Sequence, residues 1–353
     1  MKEWEKNVRQ AIPYVPGEQP VRENIIKLNT NENPYPPSPK VVEALKEFNT
    51  GQLRLYPDPD SSVLVEALSD FYQIDQRQIF VGIGSDDVLA MVFLTFFCSE
   101  KPVLFPDITY SFYDVWARLF RISFRQIPLN DQFQIVKEDY FQENGGVIFP
   151  NPNAPTGLLI ELADIEDIIH HNRNVVVVVD EAYIDFGGTS AFPLLEKYDN
   201  LLIVQTFSKS RALAGLRIGY AFGSPQLIRY LNAVKNSFNS YTMNRLVQVL
   251  GAAAVRDKEY FENTNTLIIA TRERMKRELK NMGFLSWDSK SNFLFVTHPL
   301  VKAKRLYEDL RSIGIYVRYF SKPERISNYL RIAIGTDQEA DYLIMQLKKI
   351  LKK

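Results

Sequence analysis

The sequence predicts an α/β fold: a large domain with a mostly parallel sheet between helices, followed by a smaller α+β domain. Three observations predict it. Short apolar runs rich in β-branched and aromatic residues recur through the first two thirds of the chain, with amphipathic, helix-like segments in several of the gaps. That alternation marks parallel strands joined by helices. One run, Val175 to Val179, is five valines with no polar alternation, as expected of a strand covered on both faces. After about residue 255 the texture changes to one long polar-faced helix followed by three strand-like segments. The 353 residues leave room for two domains of ordinary size.

In chain order, the first forty residues read as an extended arm. NENPYPPSPK carries four prolines in ten positions, which suits a segment crossing a surface rather than a core element. Ser38 before Pro39 signals a helix start, continued by VVEALKEF. Strands are predicted over Ile79–Ile83, Val103–Phe105, Val147–Phe149, Val175–Val179, Leu201–Val204 and Ile218–Phe222. A long helix over Lys258–Met282 is stopped by Gly283. SNFLFVTH, GIYVRYF and YLRIAIGT are the later strand candidates, and Thr336 with Glu339 forms a capping box for a closing helix, DQEADYLIMQLKKILKK. The expected organisation is an arm over 1–40 that joins the small domain, a large domain over 41–254 and a small C-terminal domain over 255–353.

Composition narrows the function. Forty-two basic residues balance forty-two acidic ones, which argues against a nucleic-acid partner, since such binding draws on basic side chains. The single cysteine, Cys98, excludes an internal disulfide framework and agrees with a reducing compartment. No segment reads as a signal peptide or a membrane span, so a cytoplasmic globular protein is expected. His170, His171 and His298 are the only histidines and none is spaced for a metal site with Cys98, so no metal is expected.

The chemistry-bearing residues sit at predicted strand ends, where open α/β sheets bind ligands. VGIGSDD places Ser85 and Asp86 at a helix start after a glycine turn. Alone, this is either an anion cradle or a plain turn. NPNAPTG (Asn151–Gly157) is a rigid loop directly after a strand, again a binding loop or only a turn. VVVVVDEAYIDF ends the most apolar strand with Asp180, a costly burial without a positive partner, unless the residue merely caps the next turn. TFSKSRALAGLRIGY sets Lys209 after another apolar strand. Burial there penalises an ammonium ion but suits a Schiff-base lysine. Ser208 and Arg217 offer a hydroxyl and a guanidinium to a phosphate. A lysine nucleophile, a buried carboxylate and an anion cradle together match the demands of pyridoxal 5'-phosphate.

These segments resemble the fold-type-I pyridoxal-phosphate-dependent aminotransferases, and most closely their histidinol-phosphate branch. KLNTNENPYPPSP, LYPDP, GSDDVL, DITYSFY, NPNAPTG, VVVDEAYIDF, TFSKSRALAGLRIGY, SNFLFV, GIYVR and YLRIAIGT occur in the family's order over essentially the full length. The resemblance implies that Lys209 binds the cofactor covalently and shuttles a proton between the substrate Cα and the cofactor C4′. It implies that Asp180 pairs with the pyridine nitrogen, Tyr183 hydrogen-bonds the ring hydroxyl and Tyr110 stacks on the ring. The backbone of Ser85 and Asp86, with Thr206, Ser208 and Arg217, would hold the phosphate. Tyr56 would reach the phosphate of a neighbouring subunit, which makes the active unit a homodimer with shared sites. Tyr14, Asn33, Arg318 and Arg331 are the implied substrate-side residues.

The implied reaction interconverts L-histidinol phosphate and 2-oxoglutarate with imidazole acetol phosphate and L-glutamate, a step of histidine biosynthesis. Aromatic amino-acid aminotransferase and threonine-phosphate decarboxylase activities share the scaffold. A regulatory sensor would need a basic DNA-binding domain, for which this neutral chain has no spare residues. Two departures stand out. Most relatives carry asparagine, a contact to the ring hydroxyl, where this chain has Ala154, so either Asn153 supplies that bond or Tyr183 acts alone. Asn239–Asn244 (NSYTMN) matches the family's substrate-side segment only loosely.

Overall fold

Proline placement sets where the chain first becomes helical. In the computed structural model, which describes residues 2–20 and 24–352, Ser38 Oγ accepts from the Lys40 amide at 3.1 Å. Pro39 opens α1 (Pro39–Glu47), at a position where a missing N–H is harmless. Upstream, the arm is more than a surface crossing. It contributes β1 (Ile26–Leu28), with Leu28 2% exposed, to the smaller of two sheets. Proline-rich flanks hid this three-residue strand. Val21 to Glu23 of the arm and the last lysine of the predicted closing helix lie outside the described residues.

The larger sheet is formed by β2 (Ile79–Gly82), β3 (Val103–Pro106), β4 (Phe124–Ile127), β5 (Gly146–Pro150), β6 (Val177–Asp180), β7 (Leu201–Thr206) and β8 (Gly219–Gly223), in the order β2-β8-β7-β6-β5-β3-β4. From β7 through β6, β5 and β3 to β4 every pairing is parallel; β8 runs antiparallel to both β7 and β2. The link from β7 to β8 holds only the short turn Ala214–Leu216, too little helix for a crossover, so the strand returns alongside. In β6, Val177 and Val179 enter one core and Val178 the other, the two-faced burial that the valine run predicts. Strand β4 escaped the sequence reading because it is an edge strand whose Arg125 and Gln126 are exposed.

Helices α2 (Ser62–Tyr72), α3 (Gly84–Phe96), α4 (Phe112–Phe120), α5 (Leu162–His171), α6 (Pro225–Phe238) and α7 (Arg245–Val255) accompany this sheet. The long α8 (Lys258–Asn281) ends at Gly283, whose φ of +87° only glycine adopts freely. Beyond it come β9 (Leu285–Ser286), β10 (Phe293–Thr297), α9 (Ala303–Ser312), β11 (Ile315–Tyr319), β12 (Leu330–Ala333) and α10 (Asp337–Ile350), with the Thr336–Glu339 capping box in place. The smaller sheet has the order β1-β11-β12-β10-β9 and its own apolar core against α8, α9 and α10. A separate aromatic cluster joins Ile108, Leu129 and Phe133 of the large-sheet side to Phe295 and Ile326 of the small-sheet side. Arg325 clips the same junction by donating to the carbonyl of Leu129 at 2.7 Å and to that of Asn130. No described helix is long and apolar enough to cross a membrane.

Candidate active site

Loops leaving the carboxyl ends of β2, β3, β5, β6 and β7 converge on one cavity of about 370 Å³. Lys209 follows β7 and reaches into it; its Nζ donates to the carbonyl of Thr30 at 3.1 Å. The Tyr183 ring lies below that ammonium group, 5.8 Å from Nζ to the ring centre. The buried strand delivers the lysine, and the arm supplies the carbonyl that receives it.

One corner of the cavity gathers the amides, hydroxyls and guanidinium that could hold an anion. Ser85 occupies the first turn of α3, and Gly219 on β8 approaches it so closely that a Cβ there would lie 2.3 Å from the Ser85 amide nitrogen. Only glycine permits that approach. Ser208 Oγ accepts from Thr206 Oγ1 at 3.0 Å and from Arg217 at 3.3 Å. The Arg217 guanidinium pairs with the Asp86 carboxylate at 3.0 Å, and the Tyr110 hydroxyl donates to the same carboxylate at 2.6 Å. The sequence proposes Asp86 for its backbone; its side chain also orients both Arg217 and Tyr110.

Asp180 stands at the end of β6, 4% exposed. It accepts from the Tyr113 hydroxyl at 2.8 Å and the Ala182 amide at 3.2 Å. Burial pushes its carboxyl up to about 6, and among the described residues no cation pairs with it. A buried carboxylate of this kind lacks a positive partner, and a protonated pyridine nitrogen is one that would fit. The residues present therefore suit pyridoxal phosphate at both ends, ring and phosphate. Tyr113 was missed in the sequence: its contact with Asp180 spans 67 positions, and the only signal was a polar-tipped aromatic one helical turn after Tyr110. The neighbouring Glu181 is 1% exposed, held by Ser190, the Ala191 amide and Gln205, and pushed up to about 7 by burial.

A second cavity of about 270 Å³ shares Thr30, Tyr110, Ala154, Tyr183 and Lys209 with the first and adds Tyr14, Asn31, Arg318 and Arg331. Arg318 and Arg331 are register partners on β11 and β12, so both side chains project from one face. Neither meets a carboxylate among the described residues; Arg331 donates only to the Asn29 carbonyl, at 3.2 Å. Burial lowers the Arg331 pKa from its ordinary value, which marks how far its charge is withdrawn from water. Tyr14 reaches this cavity from the arm and stacks on Phe112 with 4.3 Å between ring centres.

Three predicted residues stand elsewhere. Asn33 lines neither cavity: its amide donates to the carbonyls of Lys209 and Ser210 at 2.9 and 3.3 Å, so it braces the lysine segment rather than facing substrate. Asn153 is turned away as well. Its Oδ1 accepts from Thr109 at 3.0 Å, and its Nδ2 donates to Ile108 and Thr156 at 3.0 and 3.1 Å. Ala154 takes the cavity wall in its place. Tyr56 is 78% exposed, outside both cavities, and stacks on Tyr241 of the loosely matching NSYTMN segment. The histidines are remote: His298 contacts Met282 and His171 stacks on Phe141.

Comparison with known proteins gives the family of the chain. Residues 23–347 match the family aminotransferase class I and II. A histidinol-phosphate aminotransferase of Clostridium acetobutylicum is 52% identical over 99% of this chain and 99% of its own length. That of Lactococcus lactis subsp. cremoris is 51% identical over 99% of this chain and 98% of its own. The fold matches the crystal structure of histidinol-phosphate aminotransferase from Sinorhizobium meliloti in complex with pyridoxal-5'-phosphate, with a TM-score of 0.84 at 24% identity, covering 93% of this chain and 91% of that one. This chain belongs to the class I and II aminotransferase family.

Proposed function

We propose that the chain is a pyridoxal-phosphate-dependent aminotransferase interconverting L-histidinol phosphate and 2-oxoglutarate with imidazole acetol phosphate and L-glutamate. The observation that carries the substrate reading is the couple Arg318 and Arg331 beside Lys209, neither of which meets a carboxylate among the described residues. Histidinol phosphate has no carboxylate, so its phosphate is the anion for these arginines; glutamate offers a carboxylate to the same groups. A guanidinium is a planar fork that fits either anion. The full-length relatives support the same substrates, since they carry that activity in their names.

Pyridoxal phosphate, when bound, supplies the electron sink that lets a proton leave the carbon bearing the amino group. The chain's residues then divide the work. Lys209 Nζ would anchor the cofactor and, once freed, accept and return that proton. Asp180, kept dry at the end of β6 and oriented by Tyr113, would hold a proton on the ring nitrogen. Tyr110 would cover the ring, while the Ser85 and Asp86 amides, Thr206, Ser208 and Arg217 would bind the phosphate. Tyr14 would close the substrate cavity from the arm. The reading also includes a cytoplasmic homodimer in which Tyr56 reaches the partner's phosphate. It divides the chain into the arm, a large cofactor-binding domain to about residue 254 and the small domain beyond.

The experiment is a half-reaction screen. The cofactor-loaded protein is mixed with histidinol phosphate, glutamate, aromatic amino acids and threonine phosphate, and the bound cofactor's visible absorbance is followed. Fast loss with histidinol phosphate and glutamate is expected. Preference for an aromatic amino acid, or carbon dioxide release from threonine phosphate, would replace this reading. Borohydride reduction and peptide mapping should place the cofactor on Lys209.

A further inference from the structure

Asn31 lies in the turn between β1 and α1, 1% exposed, with a left-handed φ of +57°. Asparagine and aspartate adopt that conformation more readily than other non-glycine residues. Its Nδ2 donates to the Tyr183 hydroxyl oxygen at 3.0 Å, and its Oδ1 has no partner among the described residues. Asn151, Asn200, Asn265 and Asn292 also bury one side-chain atom without a partner among the described residues, but two other buried asparagines show full use of the amide. In the pair Asn144 and Asn172, every side-chain oxygen and nitrogen is engaged. The turn at Asn31 does not need the amide for its shape either, because Asn292 holds it through the Asn31 backbone carbonyl at 2.9 Å. The one bond the Asn31 side chain makes among the described residues is to a wall residue of both cavities.

That bond has a direction. A phenol oxygen that accepts from an amide N–H must turn its own proton elsewhere. For Tyr183 the open direction is the cavity beside Lys209 and Ala154, where Ala154 has no donor and Asn153 has spent its own. We propose that Asn31 is a positioning residue that fixes Tyr183 as a hydrogen-bond donor toward the ring oxygen of bound pyridoxal phosphate. The inference rests on the cofactor reading above and assigns to the arm a part in holding the ring.

Asn31→Asp tests the direction, because it tolerates the same backbone conformation but can only accept, and so takes the Tyr183 proton. Asn31→Gly keeps the backbone and deletes the amide. Cofactor affinity of the cofactor-free protein is measured by tryptophan fluorescence, and the pH midpoint of the bound cofactor's visible absorbance is measured separately. For Asn31→Asp we expect affinity to fall about tenfold and the midpoint to rise by about one unit, since the ring oxygen loses a donor. For Asn31→Gly the expected loss is about threefold. In a Tyr183→Phe background neither substitution should change either readout further. Wild-type affinity and midpoint in Asn31→Asp would overturn the proposal, as would losses that persist undiminished beside Tyr183→Phe. A Tyr183→Phe protein that matches wild type on both readouts would instead overturn the assignment of Tyr183, and the inference with it.

Discussion

At the scale of single residues, Asp180 and Arg331 are charges without an ion-pair partner among the described residues, whereas Arg217 and Asp86 pair with each other. Asp180 and Glu181 are both raised by burial, to about 6 and about 7. Without cofactor, the folded chain therefore holds more protons than the unfolded chain between about pH 4 and 7. Their contribution to stability is full below the unfolded carboxyl values and is lost as pH rises through the folded ones. Asp180→Asn removes one of these groups. In the cofactor-free protein it should raise the melting temperature at pH 8 by the equivalent of up to about 3 kcal/mol, with the gain vanishing toward pH 4. With cofactor bound the sign should reverse, because the carboxylate then has a cation beside it. Thermal melts of both forms across pH check this, and a pH-independent difference would mean that Asp180 is only a turn cap. Arg331 carries the complementary charge. Arg331→Lys keeps the charge but loses the fork, so both half-reactions should weaken by roughly tenfold or more in kcat/KM while cofactor affinity holds. Arg318→Ala should hurt histidinol phosphate more than glutamate. Unchanged specificity constants in Arg331→Lys would place the anion site elsewhere.

At the scale of elements, the loop after β5 shows how a binding motif can be legible while its atoms are not. NPNAPTG is legible as a rigid strand-end loop, and the loop does frame the cavity, but through Ala154, next to Pro150 at the end of β5. The side chain of Asn153 instead ties the loop to Ile108, Thr109 and Thr156. Asn153→Ala should therefore cost about 1–3 kcal/mol of stability by stranding those buried groups, with little direct loss of ring contact. Denaturant titration with and without cofactor separates the two: equal losses in both forms support the brace, and a loss confined to the loaded form would restore the ring contact. The same division runs through the chain. The two-faced strand β6 was legible because valine periodicity is local, and so were the Ser38 and Thr336 caps. Strand β4 was hidden by exposed polar residues at a sheet edge, and β1 by its brevity. The bonds from Tyr113 to Asp180 and from Asn31 to Tyr183 span 67 and 152 positions, and nothing in local pattern encodes such pairings.

At the scale of the whole molecule, the Tyr56 loop is built as though to be presented outward. Side-chain donors from α6 and α7 grip its backbone: Lys235 reaches the Pro59 carbonyl at 2.7 Å, Gln248 the Asp58 carbonyl at 2.8 Å and Arg245 the Tyr56 carbonyl at 3.1 Å. Lys235 is buried there against its charge, and burial lowers its pKa. Yet the loop's own side chain, Tyr56, stays 78% exposed, stacked on Tyr241 and close in sequence to Leu53 and Leu55, which are 57% and 49% exposed; Phe238, three residues before Tyr241, is 75% exposed. Exposed large apolar groups of this kind are what a protein interface would cover, and a symmetric dimer would send each loop to the other chain. The decisive experiment mixes two inactive chains, Lys209→Ala and Tyr56→Phe, at limiting cofactor. In a hybrid dimer one site joins the intact Lys209 of one chain to the intact Tyr56 of the other, and its companion site has neither. Random reassortment at equal concentrations makes half the dimers hybrid, so recovery should approach roughly a quarter of wild-type activity. Hybrids verified by mass that recover nothing above the parent variants would mean that each chain completes its own site, and that the exposed loop serves some other contact.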